Sequence, residues 1–150
     1  RSLRNLAEME NIRRRAEREK SDTLRYGASG LARDLLNAAD NLRRALQSVP
    51  PEMREGDETV KNFVLGVEMT EKELLSAFEK HGIRQILPLG EKFNHAEHQA
   101  MFEVPGTDQP AGTIVELMQP GYIMHDRLLR PAMVGVAKGD PEETRVDTTA

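Results

Sequence analysis

The chain has no cysteine and no tryptophan among its 150 residues. The missing thiols exclude disulfide scaffolds, thiolate zinc sites and cysteine nucleophiles. They are compatible with a reducing compartment without proving one. Aromatic residues are scarce, with two Tyr and four Phe, and the chain is 38% hydrophobic against 31% charged. That is less apolar material than a compact domain usually carries, which predicts an elongated helical protein with a modest globular part. No apolar run approaches the roughly 18 residues of a membrane span, and no signal peptide is visible. A start at Arg1 rather than Met is compatible with a fragment and leaves a removed N-terminal segment open.

Residues 1–49 also lack proline. Within them Leu24, Ala28, Leu31, Leu35, Ala38, Leu42, Ala45 and Val49 alternate spacings of four and three. That is the heptad seam of a helix that pairs with another helix. Upstream the stripe thins to Leu3, Leu6, Met9, Ile12 and Ala16, and a charged run over 13–20 holds together only through pairs such as Glu10 with Arg14. Gly27 and Gly30 interrupt the apolar pattern. Each costs about 1 kcal/mol in a helix interior. A break between two helices is one reading. The unbroken register of Leu24, Ala28 and Leu31 favours the other, one continuous helix with a weak point.

Pro50-Pro51 ends this rod, because the residue before a proline is pushed out of the helical region. Met53 to Asp57 reads as a loop. A second amphipathic helix follows with Val60, Phe63, Val64, Val67, Leu74, Leu75 and Phe78 on one face and His81-Gly82 as its stop. One long and one shorter helix per chain predict a four-helix bundle shared by two chains. From Ile83 the period changes to two. Strands are expected at 83–87, 99–104, 113–118, 122–124 and 132–137, with Pro131 at the start of the last strand or on an edge. The fold class is therefore α+β. Its parts are a dimerisation helix over 1–49, a short bundle helix over 50–82, a compact β domain over 83–138 and a disordered tail over 139–150.

Charge is unevenly spread. Residues 1–49 carry 11 basic and 7 acidic side chains, and residues 50–150 carry 10 and 18. A nucleic-acid binder presents a basic stripe on a basic domain. Here Glu8, Glu10, Glu17 and Glu19 lie among the arginines, so a solvated helix surface is expected and no nucleic-acid partner. His95, Glu97, His98 and His125 tempt a metal reading, but the spacing is unspecific and no ordered ligand set completes it. No metal, cofactor or catalytic residue is assigned. No phosphate loop or catalytic triad has supporting context.

The second half carries a set of motifs in order. They are Gly66-Val67-Glu68-Met69-Thr70, Phe93-Asn94 with His98-Gln99-Ala100, Met118-Gln119-Pro120-Gly121-Tyr122, and Asp126-Arg127-Leu128-Leu129-Arg130-Pro131-Ala132-Met133-Val134. Together they resemble GrpE, the nucleotide exchange factor of DnaK-type chaperones, from about Leu3 to Lys138. The segment from Arg25 to Leu46 looks most like the alphaproteobacterial or mitochondrial branch. His95 stands where the family pattern usually has Pro.

The resemblance implies a parallel homodimer that binds the ATPase domain of the chaperone, opens its cleft and speeds ADP release without chemistry of its own. It also implies that the long helices unwind reversibly on heating. The seam, with Ala at three positions and glycines beside it, predicts weak pairing and an early helical transition. The residues the resemblance points to as chaperone contacts are Gly66, Met118 and Arg127, then Arg130, Arg13 and Arg14. Each has a plainer alternative: a close helix crossing for Gly66, a core side chain for Met118, a solvated loop residue for Arg127, a solvated charged face for Arg13 and Arg14. Tyr122 reads as structural. The expected compartment is the bacterial cytoplasm, with the mitochondrial matrix as alternative. The rival function is a coiled-coil scaffold with a β docking domain, and a histidine-based metal hydrolase ranks third.

Overall fold

The computed structural model describes residues 2–139. Residues 140–150 of the expected tail lie outside them. Four helices precede six strands: α1 (Ser2–Tyr26), α2 (Ser29–Gln47), α3 (Pro51–Gly56), α4 (Glu58–Lys80), β1 (Ile83–Ile86), β2 (His98–Val104), β3 (Ile114–Gln119), β4 (Gly121–Met124), β5 (Arg127–Arg130) and β6 (Ala132–Ala137).

The rod is not continuous. It bends at the turn Gly27-Ala28, where the Gly27 N–H still bonds to the Thr23 carbonyl at 2.8 Å, and Ala28 sits at φ −93° and ψ 6° with no side-chain cap for α2. The break lies at Gly27 for a steric reason. A Cβ there would stand 2.5 Å from the carbonyl oxygen of Thr23, whereas a Cβ on Gly30 would meet nothing. The apolar spacing runs through the break because side-chain register survives a local bend between two helices.

α2 carries two stripes. Ala32, Leu36, Ala39 and Leu46 are buried within the chain. The seam positions lie one residue earlier, about 100° around the helix. There Leu24 and Leu31 stay 78% and 64% exposed. Ala28, Ala38 and Ala45 are also exposed, and Leu35, Leu42 and Val49 are half-buried.

α3 occupies the segment expected to be a loop, with Pro51 at its first turn. Its Arg54 donates to the Leu46 carbonyl at the end of α2 and lies 3.6 Å from Glu68 of α4. α4 opens on Asp57, whose carboxylate accepts from the Thr59 N–H at 2.9 Å. It closes at His81-Gly82, with Gly82 at φ +76°. Its buried line is Val64, Glu71 and Phe78. Phe63, expected on the inner face, is 72% exposed, because a helix pivoting on Val64 turns its neighbour outward.

The strands form two three-stranded sheets, ordered β1-β4-β5 and β2-β6-β3. Only β2 and β6 run parallel. Pro131 precedes β6, which is the central strand of its sheet, so the proline marks its start and not an edge. β5 was not expected as a strand. Arg127-Leu128-Leu129-Arg130 has no alternation to reveal it, and its pairing to β4 through the two-residue turn His125-Asp126 makes it one.

One core joins helices to the first sheet through Tyr26, Ala32, Leu36, Ala39, Phe78, Ile83, Tyr122 and Met124. A second lies within the β part around Ile86, Ile114, Ala132 and Val134.

Candidate functional site

The residues singled out by resemblance do not converge on one pocket. Arg13 and Arg14 project from the exposed face of α1, and both lie by Glu10, at 2.9 Å and 3.5 Å. Exposed ion pairs of this kind contribute little to stability. Gly66 lies on the exposed side of α4 with open space where a Cβ would go. A close crossing by another helix of the same chain is therefore not what keeps this position small.

Met118 is 59% exposed near the end of β3, so it is not a core side chain. It lines a cleft of about 380 Å³ between the helices and the β part, with Arg43, Arg44 and Gln47 of α2, Leu75 of α4 and Leu87. Beneath it Arg43 pairs with Glu71, its Nε donating to Oε2 at 2.8 Å. Glu71 is buried, so this bond offsets the desolvation of its charge.

Arg130 is engaged inside the chain. Its Nη1 and Nη2 donate to the two carboxylate oxygens of Asp40 on α2, at 2.6 Å and 2.8 Å. Nη2 and Nε also donate to the Pro120 carbonyl, at 2.7 Å and 3.2 Å. With a side chain only 16% exposed, this bidentate fork ties the β4–β5 sheet to the rod. Tyr122 stands beside it, almost wholly buried, accepting from Gln85 Nε2 at 3.1 Å. Burial pushes its phenol above the ordinary value, and the Asp40 charge pushes the same way.

Arg127 is on β5, not in a loop, and its guanidinium carbon lies 3.6 Å from the ring centroid of Tyr26. Tyr26, the last residue of α1, is the one buried residue of that helix. Its hydroxyl donates to Asp126, and its ring meets His125 edge-on at 5.8 Å. The Asp126 bond, with burial, raises the Tyr26 phenol. The same bond, with one from its own backbone N–H, lowers the Asp126 carboxyl. His125 holds a left-handed backbone at φ 55°, which is uncommon for a residue with a Cβ. Its N–H bonds to the Gly82 carbonyl at 2.8 Å. Its ring also occupies the space a Cβ on Gly82 would need.

Sequence reasoning missed this cluster. The one available signal was Tyr26 itself, the sole aromatic among the first 62 residues, placed beside a glycine.

The histidines are apart in role as well as in sequence. His98 is buried, and its Nδ1 accepts from the Asn94 N–H at 3.0 Å. Among the described residues no group of three His, Cys, Asp or Glu side chains is placed to hold a metal ion. No helix among them is long and apolar enough to cross a membrane.

Residues 1–138 match the GrpE family model. Protein GrpE of Parvibaculum lavamentivorans is 54% identical over 155 residues, covering 100% of this chain and 73% of the relative. Protein GrpE of Rhizobium leguminosarum is 50% identical over 151 residues, covering 100% and 72%. Protein GrpE of Mesorhizobium japonicum is 52% identical over 143 residues, covering 95% and 68%. With a family match running from the first residue of the rod to the last strand, the chain belongs to the GrpE family.

Proposed function

We propose that this chain acts as the GrpE family acts, as a co-chaperone nucleotide exchange factor for a DnaK-type chaperone in the bacterial cytoplasm. The observation that carries the reading is the family match over residues 1–138, which takes in both the rod and the β part. In this reading the factor binds the ATPase domain more tightly when its cleft is open and empty. By linkage it must then weaken nucleotide binding by the same factor, and no active site is needed.

Two copies pair along the seam of Leu24, Ala28, Leu31, Leu35, Ala38, Leu42, Ala45 and Val49, of which Leu35, Leu42 and Val49 are half-buried in the single chain, and the exposed Phe63, Leu65 and Met69 of α4 complete the bundle. Met118, exposed and adaptable, and Arg127 contact the chaperone from the β part. Gly66 keeps α4 low where the partner approaches, and Arg13 and Arg14 add charge further out. Arg130 acts from within by fixing the sheet that carries Arg127 to α2. Heating unwinds the rod first, because α1 buries a single residue and the rod breaks at the Gly27-Ala28 turn.

The test is binding of the chaperone's ATPase domain measured with and without ADP. Tighter binding without nucleotide, weakened by Gly66→Asp and by Arg127→Ala, is the expected result. Equal affinity in both states, or no binding, would leave the scaffold reading in place.

A further inference from the structure

We infer that Tyr26 is the positioning residue for Arg127, holding the guanidinium in the orientation that meets the chaperone. The inference rests on the exchange-factor reading for its functional consequence, but the geometry is that of the free chain. Three observations meet at the β4–β5 turn. The Arg127 guanidinium lies over the Tyr26 ring at 3.6 Å, close enough for stacking as well as cation–π attraction. The Tyr26 hydroxyl bonds to Asp126, the residue before Arg127, so ring and turn are tied at a second point. The turn itself is strained at His125, and backbone held in a rare region persists where its surroundings fix it. Those surroundings are the Tyr26 ring and Gly82.

An exposed arginine on a short strand samples many rotamers, and ordering it on binding costs affinity. Resting it on a ring fixed by a helix end removes part of that cost beforehand. Tyr26 sits one residue before the break at Gly27. Its ring therefore stays in place only while the end of α1 is helical. Unwinding the rod withdraws the ring, so softening of the helix reaches a contact residue on the β part.

The experiment pairs a double-mutant cycle with a spectroscopic readout on the full chain. Tyr26→Leu is expected to raise the concentration for half-maximal ADP release about three- to tenfold, while the plateau rate stays unchanged. Tyr26→Phe, which keeps the ring, recovers most of that loss. In an Arg127→Ala background, Tyr26→Leu adds no further loss. A merely structural Tyr26 would give additive losses, and that result overturns the inference. In the free protein the Arg127 side-chain protons should show ring-current shifts that vanish in Tyr26→Leu. Unshifted protons in the wild-type chain overturn the inference without any variant. If the wild-type chain does not speed ADP release, the exchange-factor reading falls, and the ring-current shift still decides whether Tyr26 holds Arg127.

Discussion

The two sides of Gly27 are both helix, yet they stand on different footings. α1 is longer than α2 but buries only Tyr26, at its very end, whereas α2 buries Ala32, Leu36 and Ala39 against α4 and the first sheet, and Leu46 near its own end. Helices in water draw most of their stability from a packed apolar face and little from propensity. α2 is therefore part of a folded unit in a single chain. α1, with Leu3, Leu6, Met9 and Ile12 all exposed, needs a second rod to bury its stripe. The difference predicts that α1 melts before the α2–β unit.

The largest effect should come from the exposed stripe. Leu31→Asp removes about 1.5–3 kcal/mol of apolar burial per copy, doubled in a symmetric pair. Sedimentation should show the dimer dissociating while the strands persist by circular dichroism. An unchanged mass would mean that the stripe is not a seam. Next is Arg130→Ala, which strands the carboxylate of Asp40 between rod and sheet. Breaking such a pair costs about 3 kcal/mol. The urea midpoint of the α2–β unit should fall, and an unchanged midpoint would contradict the tie.

The two glycines should then separate in sign. Gly27→Ala forces a Cβ against the Thr23 carbonyl and should lower the first helical transition, at a cost of about 1–2 kcal/mol. Gly30→Ala meets open space and should raise it by about 0.5–1 kcal/mol. Thermal scans of both variants decide it, and the same sign for both would misplace the weak point.

The smallest effect is one of pH. The Asp126 carboxyl is lowered from 3.8, so its contribution is present above the ordinary carboxylate value and is lost as pH falls through the depressed one. The Tyr26 phenol is raised from 10.0, so its contribution is present below that value and is lost as pH rises through the raised one. The melting temperature of the helix end should be level through neutral pH and fall at both extremes. Asp126→Asn should flatten the acid limb.

Much of this was legible in the chain. Five of the six strands announce themselves by period two and by Pro-Gly pairs at their ends, and α4 by its stripe and its His81-Gly82 stop. What stayed hidden is non-local. Arg127-Leu128-Leu129-Arg130 becomes a strand only because β4 lies beside it. The buried stripe of α2 was written one residue away from the seam, interrupted at Arg43, whose partner Glu71 sits at a buried position of α4. No local pattern could pair Tyr26 with Asp126, 100 residues on. Of the site residues, Met118 and Gly66 are exposed, so neither the core side chain nor the close same-chain helix crossing explains them. Arg130 turned out to be enclosed, because its partner Asp40 is equally remote in sequence.

The measurement closest to the central claim is release of fluorescent ADP from a DnaK-type chaperone, followed by stopped flow as this chain is added. The account predicts a rate that rises with concentration to a plateau, and that falls reversibly once the rod melts while the strands remain folded. A release rate indifferent to the chain, at temperatures where both rod and strands are intact, would contradict it.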